Sequence, residues 1–295
     1  MDVLAELQEL IARHSASGSR CKEFNGVELT VSSAPTEPLE CMAGAAFAVI
    51  AQGAKRVVLN GSVFDYHAGQ YLVVSVDLPL TAYITQASAD EPFSAFALTL
   101  KPAAIATLLL ETASQERAPS PPPGIAVSDA PFVLLDAVVR LLRLFDHPAD
   151  ARVLGPGAER EILWRLITGA QGAMIRQIGL ADSRLSQIGR AIQWIRQNYD
   201  ATLRIDEMAQ LARMSVTSFH RHFRAVTTMT PIQYQKQIRL QEARFLLMER
   251  PRDVAGVGFA VGYDSPSQFS REYRRQFGLS PGQDATRRKN EAAPA

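Results

Sequence analysis

Apolar residues recur at helical spacing from about residue 186 to residue 282, with short polar turns between them. Apolar positions three or four residues apart predict amphipathic helices. The expected helices cover about 186–199, 205–211, 216–226, 230–249, 253–261 and 266–276. The C-terminal third of the chain is therefore predicted to be entirely α-helical.

Within this segment, a pattern occurs twice, fifty positions apart, at Ser218–Arg224 and at Gln268–Arg274. Each copy has two aromatic residues four positions apart, which share one helix face, and arginines on the other face. The matched positions are Phe219 and Phe269, Arg221 and Arg271, Phe223 and Tyr273, and Arg224 and Arg274. A short apolar helix and a tight turn precede each copy, so the sequence predicts two helix-turn-helix units.

The helix expected between the two units has a length that suits duplex DNA. Its 19 or so residues span about 28 Å at 1.5 Å per residue. Major-groove segments on one face of a duplex repeat about every 34 Å. One chain could thus place two recognition helices in neighbouring grooves, and double-stranded DNA is the predicted partner.

The outward positions of the two recognition helices are the candidate DNA contacts. Arginine pairs with guanine edges or neutralises phosphates, and short polar side chains near a recognition helix's start reach base edges. The candidate base-reading residues are Thr217, Ser218, His220, Arg221, Ser267, Gln268 and Arg271. The candidate phosphate contacts, further along each helix, are Arg224, Arg274 and Arg275.

The first hundred residues have a different pattern, with many short apolar runs separated by turns. Asn60-Gly61 lies between two such runs and predicts a tight hairpin. Many short strands at close spacing indicate a barrel or a sandwich. A loop is expected at Ala118–Gly124, and helices at about 131–146 and 157–178. The broad apolar faces of these helices fit either core packing or a dimer seam.

Charge separates the two parts of the chain more sharply than the net charge of +1 suggests. Residues 1–180 carry 13 Lys and Arg against 19 Asp and Glu, whereas residues 181–295 carry 18 against 11. This asymmetry suggests that only the C-terminal part meets a polyanion, and ordinary variation of surface charge is the alternative. We predict a domain boundary near residue 180, giving domains at 1–180 and 181–295. No signal peptide or membrane-spanning segment is recognisable, so a cytoplasmic location without a membrane partner is expected.

Few residues offer enzyme chemistry. His67 is the one histidine in the strand region, and a catalytic metal site normally needs about three protein ligands. We therefore expect no enzyme activity, no metal and no cofactor. Cys21 and Cys41 are the only cysteines, and a redox switch is an alternative to inert thiols.

Residues 186–282 closely resemble the DNA-binding region of the AraC/XylS family of bacterial transcription regulators. The segments that carry the resemblance are Val261–Tyr273 (VGYDSPSQFSREY) and Phe277–Pro281 (FGLSP). The family's recognition positions fall on Thr217, His220, Arg221, Ser267, Gln268 and Arg271. One departure follows Pro281, where Gly282-Gln283-Asp284 replaces the aromatic-plus-arginine ending of many members.

The first 110 residues resemble the cupin-like N-terminal domain of one branch of this family, through Ala51–Arg56 (AQGAKR) and Gly69–Pro79 (GQYLVVSVDLP). This resemblance implies an α+β protein, with an N-terminal β-barrel and flanking helices before the two helix-turn-helix motifs. It also implies a small-molecule effector, a homodimer and, for an activator, RNA polymerase as candidate partners. The function expected is sequence-specific transcription regulation. A metal-dependent cupin enzyme with a helical appendage and a nonspecific architectural DNA-binding protein are the alternatives.

Overall fold

The computed structural model describes residues 2–16, 26–112, 123–180, 183–250 and 253–292. It divides into two compact units. The first comprises Met1–Gly189 together with Ala225–Thr228, and the second comprises Arg190–Arg224 together with Met229–Ala295. The expected loop at Ala118–Gly124 lies largely outside the described residues, as does Cys21.

Nine strands in the described part of the first unit form two antiparallel sheets. The strands are β1 (Val27–Ser32), β2 (Leu39–Ala43), β3 (Ala46–Gln52), β4 (Ala54–Leu59), β5 (Ser62–His67), β6 (Gln70–Val74), β7 (Leu78–Gln86), β8 (Phe93–Thr99) and β9 (Ile125–Asp129). One sheet has the order β1-β8-β3-β6-β9, and the other has the order β2-β7-β4-β5. The expected hairpin is confirmed between β4 and β5, where Asn60 and Gly61 both have positive φ.

The expectation of a closed barrel is corrected by this topology. Among the described strands, β1 and β9 are the edges of one sheet and β2 and β5 are the edges of the other, which leaves both sheets open and sandwich-like. Alternating apolar positions fix which side of a strand faces inward, but closure requires the edge strands to pair with each other. Strands β2 and β9 were also missing from the sequence prediction, because neither has a clear alternation.

Helices precede, interrupt and follow these strands along the chain. They are α1 (Val3–Ala16), α2 (Pro102–Glu111), α3 (Phe132–Arg143), α4 (Pro148–Thr168) and α5 (Gly172–Gly179), with a single 3-10 turn at Leu144–Asp146. The apolar face of α3, including Leu134, Val138 and Leu142, is buried within the chain against α1 and α4. The single helix expected at 157–178 is wrong, because the chain breaks at Gly169 and continues as α5 from Gly172.

The C-terminal part is helical, as the periodicity predicts. The helices are α6 (Arg184–Gln197), α7 (Ile205–Leu211), α8 (Val216–Thr227), α9 (Pro231–Glu249), α10 (Val254–Ala260), α11 (Pro266–Phe277) and α12 (Pro281–Ala292). The long α9 begins with a full capping box, in which Thr230 and Gln233 exchange side-chain and backbone hydrogen bonds. It follows the helix pair α7–α8 and precedes the pair α10–α11.

Candidate nucleic-acid interface

The first helix pair turns sharply between α7 and α8. Arg213 takes a positive φ of 53°, and the Met214 amide donates to the Ala209 carbonyl at 2.9 Å, which closes the turn. The Ser218 amide then donates to the Ser215 hydroxyl at 3.3 Å, as expected of a capping serine. The turn and the cap together fix the direction in which α8 leaves α7.

Two aromatic rings hold α8 against its own unit. Phe219 and Phe223 are both fully buried, with ring centroids 5.5 Å apart, as their four-residue spacing predicts. On the other side of α8, four of the five candidate contacts are exposed, namely Thr217, His220, Arg221 and Arg224. Ser218 is only half-buried rather than fully outward, because it lies at the edge of the packed face.

The second pair has the same construction with different local residues. Gly262 ends α10 with a φ of 87°, and a Cβ there would lie 2.3 Å from the Asp200 carbonyl oxygen, so only glycine fits. The Ser265 hydroxyl caps α11 by accepting a hydrogen bond from the backbone amide of Gln268 at 3.4 Å, and Pro266 occupies the first helical position.

Helix α11 buries one face and exposes its polar residues. Phe269 and Tyr273 are fully buried, with ring centroids 5.6 Å apart. The candidate contacts on this helix are all exposed, namely Ser267, Gln268, Arg271, Arg274 and Arg275. Each of the two helix pairs therefore presents an exposed arginine-bearing face over a buried aromatic pair.

Polar side chains of α9 fix the loops of both pairs, and this was not expected from the sequence. The Gln235 amide donates to the Tyr199 and Ala201 carbonyls at 3.0 and 2.7 Å. Arg239 donates to the Tyr199 carbonyl at 2.6 Å and to the Gly262 carbonyl at 2.6 Å. One guanidinium thus joins the segment before α7 to the turn before α11.

A buried carboxylate joins α12 to the same helix. Asp284 has no solvent exposure, and its Oδ2 accepts from Arg244 Nε and from the Tyr273 hydroxyl, both at 2.8 Å. Asp284 belongs to the Gly282-Gln283-Asp284 segment, which stands where many family members have an aromatic residue and an arginine. It packs through an ion pair, and Ala285 beside it enters the apolar cluster of the second helix pair.

The metal and thiol chemistry considered from the sequence involves residues outside this face. No group of three or more His, Cys, Asp or Glu within the described ranges could hold a metal ion. His67 is exposed, and its Nδ1 lies 3.0 Å from the neighbouring Ala68 carbonyl. Burial raises the pKa of the Cys41 thiol, although the positive charge of Lys55 opposes this, so Cys41 is poorly suited to nucleophilic chemistry. No helix among the described segments is long and apolar enough to cross a membrane.

Two protein-family models match the chain. A family described as "AraC-type transcriptional regulator N-terminus" matches residues 23–174, which is more than half of the chain. The chain belongs to the AraC family of transcription regulators. A second family, described as "Helix-turn-helix domain", matches residues 208–287 and covers most of both helix pairs. The family resemblance seen in the sequence is therefore confirmed.

Curated relatives from this family match part of the chain. The transcriptional regulator ArgR of Pseudomonas aeruginosa is 28% identical over 156 residues, which is 52% of this chain and 46% of ArgR. The transcriptional activator RhaS of Escherichia fergusonii is 27% identical over 159 residues, 52% of this chain and 56% of RhaS. The chain thus spans about half the length of the curated relatives it matches.

Solved structures support the fold alone. The structure of ToxT from Vibrio cholerae with a bound unsaturated fatty acid matches with a TM-score of 0.52 at 10% identity, over 88% of this chain and 95% of ToxT. A second ToxT structure, from strain O395, gives the same TM-score at 8% identity, over 88% of this chain and 97% of that one. Both support an N-terminal β-domain followed by a helical domain.

Proposed function

We propose that this protein regulates transcription by binding a specific duplex sequence through two helix-turn-helix units. The observation that carries this proposal is the repeated construction of the two helix pairs. In each pair a serine caps the second helix, two buried aromatics anchor it and arginines project from it. The excess of basic residues after position 180 adds the long-range attraction that a polyanion requires.

The proposed contacts divide by their place along each recognition helix. Residues in the first two turns read bases, and those further along contact phosphates. The proposed base readers are Thr217, Ser218, His220, Arg221, Ser267, Gln268 and Arg271, and the proposed phosphate contacts are Arg224, Arg274 and Arg275. Because α9 has 19 residues, it is about 28 Å long and spaces the two units for neighbouring major grooves.

Discrimination between sequences is the test of this proposal. The full-length protein is used to select binding sites from random duplex DNA, and affinity is then measured for the selected site and for scrambled DNA. Arg221→Ala and Arg271→Ala should each cost about 1–3 kcal/mol at the selected site and relax one base preference. Arg152→Ala, an exposed arginine of α4, is the matched control. Equal losses on every sequence would favour the architectural alternative.

We further propose that the N-terminal β-domain responds to a small molecule. ToxT, which shares the fold at low identity, binds an unsaturated fatty acid. In this chain, Lys55 lies on the same side of β4 as the buried Val57 and Leu59, opposite Tyr66 of β5. Burial lowers the pKa of Lys55, although Cys41 and Glu28 oppose the change, and a half-buried cation in an apolar interior suits a carboxylate-bearing effector.

This effector proposal is tested by thermal shift of the full-length protein with oleate and with oleyl alcohol as probes. Binding through Lys55 predicts stabilisation by oleate only, and its loss in Lys55→Met. Lys101→Met is the control, because Lys101 is exposed and pairs with Glu159.

We also propose that the protein forms a homodimer and, if it is an activator, that it contacts RNA polymerase. Stoichiometric metal in the purified protein would instead revive the cupin-enzyme alternative.

A further inference from the structure

Arg239 lies on α9, between the two helix pairs along the chain, and hydrogen-bonds to the backbone beside each of them. Its Nε donates to the Tyr199 carbonyl at 2.6 Å, and its Nη2 donates to the Asp200 and Ala201 carbonyls at 3.1 and 3.0 Å. These three carbonyls belong to the segment that leads into α7. Its Nη1 donates to the Gly262 carbonyl at 2.6 Å, in the turn between α10 and α11. One guanidinium therefore holds four carbonyls from two separate parts of the chain.

The two backbone segments also approach each other directly at this point. A Cβ added at Gly262 would lie 2.3 Å from the Asp200 carbonyl oxygen and 2.8 Å from Arg239 Nη2. Such distances leave no room for a side chain at position 262. The segment before α7 and the turn before α11 are thus in contact, with the guanidinium beside them. We call this contact, made by Asp200, Arg239 and Gly262, the inter-pair joint.

The connecting helix and the inter-pair joint restrain different motions. By itself, α9 sets the distance between the pairs along its axis, but each pair could still tilt or turn about that axis at its ends. The joint opposes such motion, because it links the two pairs at a side-chain length from the axis. The guanidinium is planar, with its donors in fixed directions, so the carbonyls that it holds have nearly fixed relative positions. The buried Tyr263 ring, whose centre lies 5.9 Å from the guanidinium carbon of Arg239, restrains the group further.

We propose that Arg239 is a positioning residue that fixes the relative placement of the two recognition helices, so that the protein accepts one spacing between the two groups of bases. One added base pair moves one group by about 3.4 Å and turns it by about 35° relative to the other. Two helices on a rigid body cannot follow this change, so one group of bases loses its contacts. The inference rests on the proposed function, because it takes both helix pairs to read bases.

Arg239→Lys and Gly262→Ala disturb the inter-pair joint in two independent ways. Lysine keeps the positive charge, but its ammonium is a point charge on a flexible stem and cannot hold carbonyls on both sides in fixed directions. The alanine Cβ would push the turn at position 262 away from the Asp200 carbonyl. Arg244→Met is the matched control. It also removes a largely buried arginine from α9, but one whose partner Asp284 lies in α12, after both pairs.

The experiment measures how the affinity of the full-length protein depends on spacing. Sites are selected from random duplex DNA with the wild type, and Arg221→Ala and Arg271→Ala identify the group of bases that each pair reads. The distance between the groups is then changed by one base pair in either direction. Wild type and Arg244→Met should lose on the order of tenfold or more in affinity at the altered spacings. Arg239→Lys and Gly262→Ala should lose only about threefold or less, because loosened pairs can still bind both groups at once. Circular dichroism confirms that each variant is folded.

The outcomes separate the inference from the function on which it rests. Equal affinity of the wild type at every spacing would overturn the inference, as would an unchanged spacing requirement in Arg239→Lys; Gly262→Ala decides if Arg239→Lys does not fold. A loss by the same factor at every spacing, or a relaxed spacing in Arg244→Met, would show a merely structural role and also overturn it. So would a base preference altered by only one of the two alanine variants. Failure of the wild type to enrich any sequence would instead refute the proposed function.

Discussion

Asp284→Ala is expected to destabilise strongly the second compact unit (Arg190–Arg224 and Met229–Ala295), which is the helical unit. The Asp284 carboxylate is fully buried and accepts from Arg244 Nε and the Tyr273 hydroxyl, both at 2.8 Å. Arg244 is itself only 13% exposed, and its guanidinium lies 4.3 Å from the centre of the Phe277 ring. The substitution removes the carboxylate that joins α9, α11 and α12, while the cation and the hydroxyl stay buried.

The expected cost follows from the burial of these groups. Removing one partner of a buried ion pair costs about 3–5 kcal/mol, because the remaining charge has lost its compensation. In a unit of roughly 100 residues, each 1 kcal/mol lowers Tm by about 4–8 °C. The helical unit of Asp284→Ala should therefore melt roughly 12 °C or more below wild type. A surface ion pair would cost no more than about 1 kcal/mol.

Calorimetry and urea unfolding of the full-length protein measure this effect. Asp206→Ala, an exposed carboxylate in the first turn of α7, is the control and should cost less than about 1 kcal/mol. The double variant Asp284→Ala/Arg244→Met should recover part of the loss, because the buried Arg244 charge is then removed together with its partner. A loss below about 1 kcal/mol for Asp284→Ala, or strictly additive losses in the double variant, would refute the reasoning.

The same carboxylate gives a pH dependence with a definite sign. Burial raises the pKa of Asp284, but hydrogen bonds from Arg244 and Tyr273 and the charges of Arg244 and Arg288 hold it below its ordinary value of 3.8. A carboxyl group whose pKa is lower in the folded state stabilises the fold above its unfolded pKa. That stability should be complete at neutral pH and lost as the pH falls below about 4. Asp284→Ala should unfold with a weaker acid dependence.

Three further substitutions test the helix pairs by urea unfolding. Gly262→Ala should cost at least about 1–3 kcal/mol, because φ is positive and the new Cβ would lie 2.3 Å from the Asp200 carbonyl oxygen; unchanged stability would contradict this backbone conformation. Asp253→Ala removes the N-terminal cap of α10 and should lower the free energy of unfolding by about 1 kcal/mol. Asp253→Asn keeps a capping oxygen and should retain most of that stabilisation. Phe269→Ala should cost about 3–5 kcal/mol, whereas Phe245→Ala, which is 60% exposed, should cost little, and equal losses would count against the assigned core.

Periodicity predicted the helical half closely. The expected bounds of α8, α9 and α11 agree with the structure to within one residue at each end, because their apolar spacing, capping residues and prolines all indicate the same ends. The buried aromatics Phe219, Phe223, Phe269 and Tyr273 were also correct. Their spacing and the exposed arginines beside them were enough to indicate the candidate interface, although the base-reading roles remain predictions.

The sequence was less informative where pairing partners lie far apart in the chain. It did not indicate β2 or β9, whose places depend on β7 and β6, and it did not distinguish open sheets from a barrel. The polar contacts of α9 were missed for a similar reason. Gln235, Arg239 and Arg244 are ordinary surface residues by pattern, and only their distant partners make them structural.

The sequence by itself determined the helical repeat, the family and the faces that each helix buries, because those depend on residues within a few turns of one another. Tertiary structure alone decided how that repeat is held together. The carbonyls that Arg239 joins and the carboxylate that Arg244 meets are 23 to 40 residues away in the chain. The residue spacing along one helix cannot predict partners so far away in the chain. Only the folded chain brings these carbonyl and carboxylate groups within hydrogen-bonding distance of the two arginines.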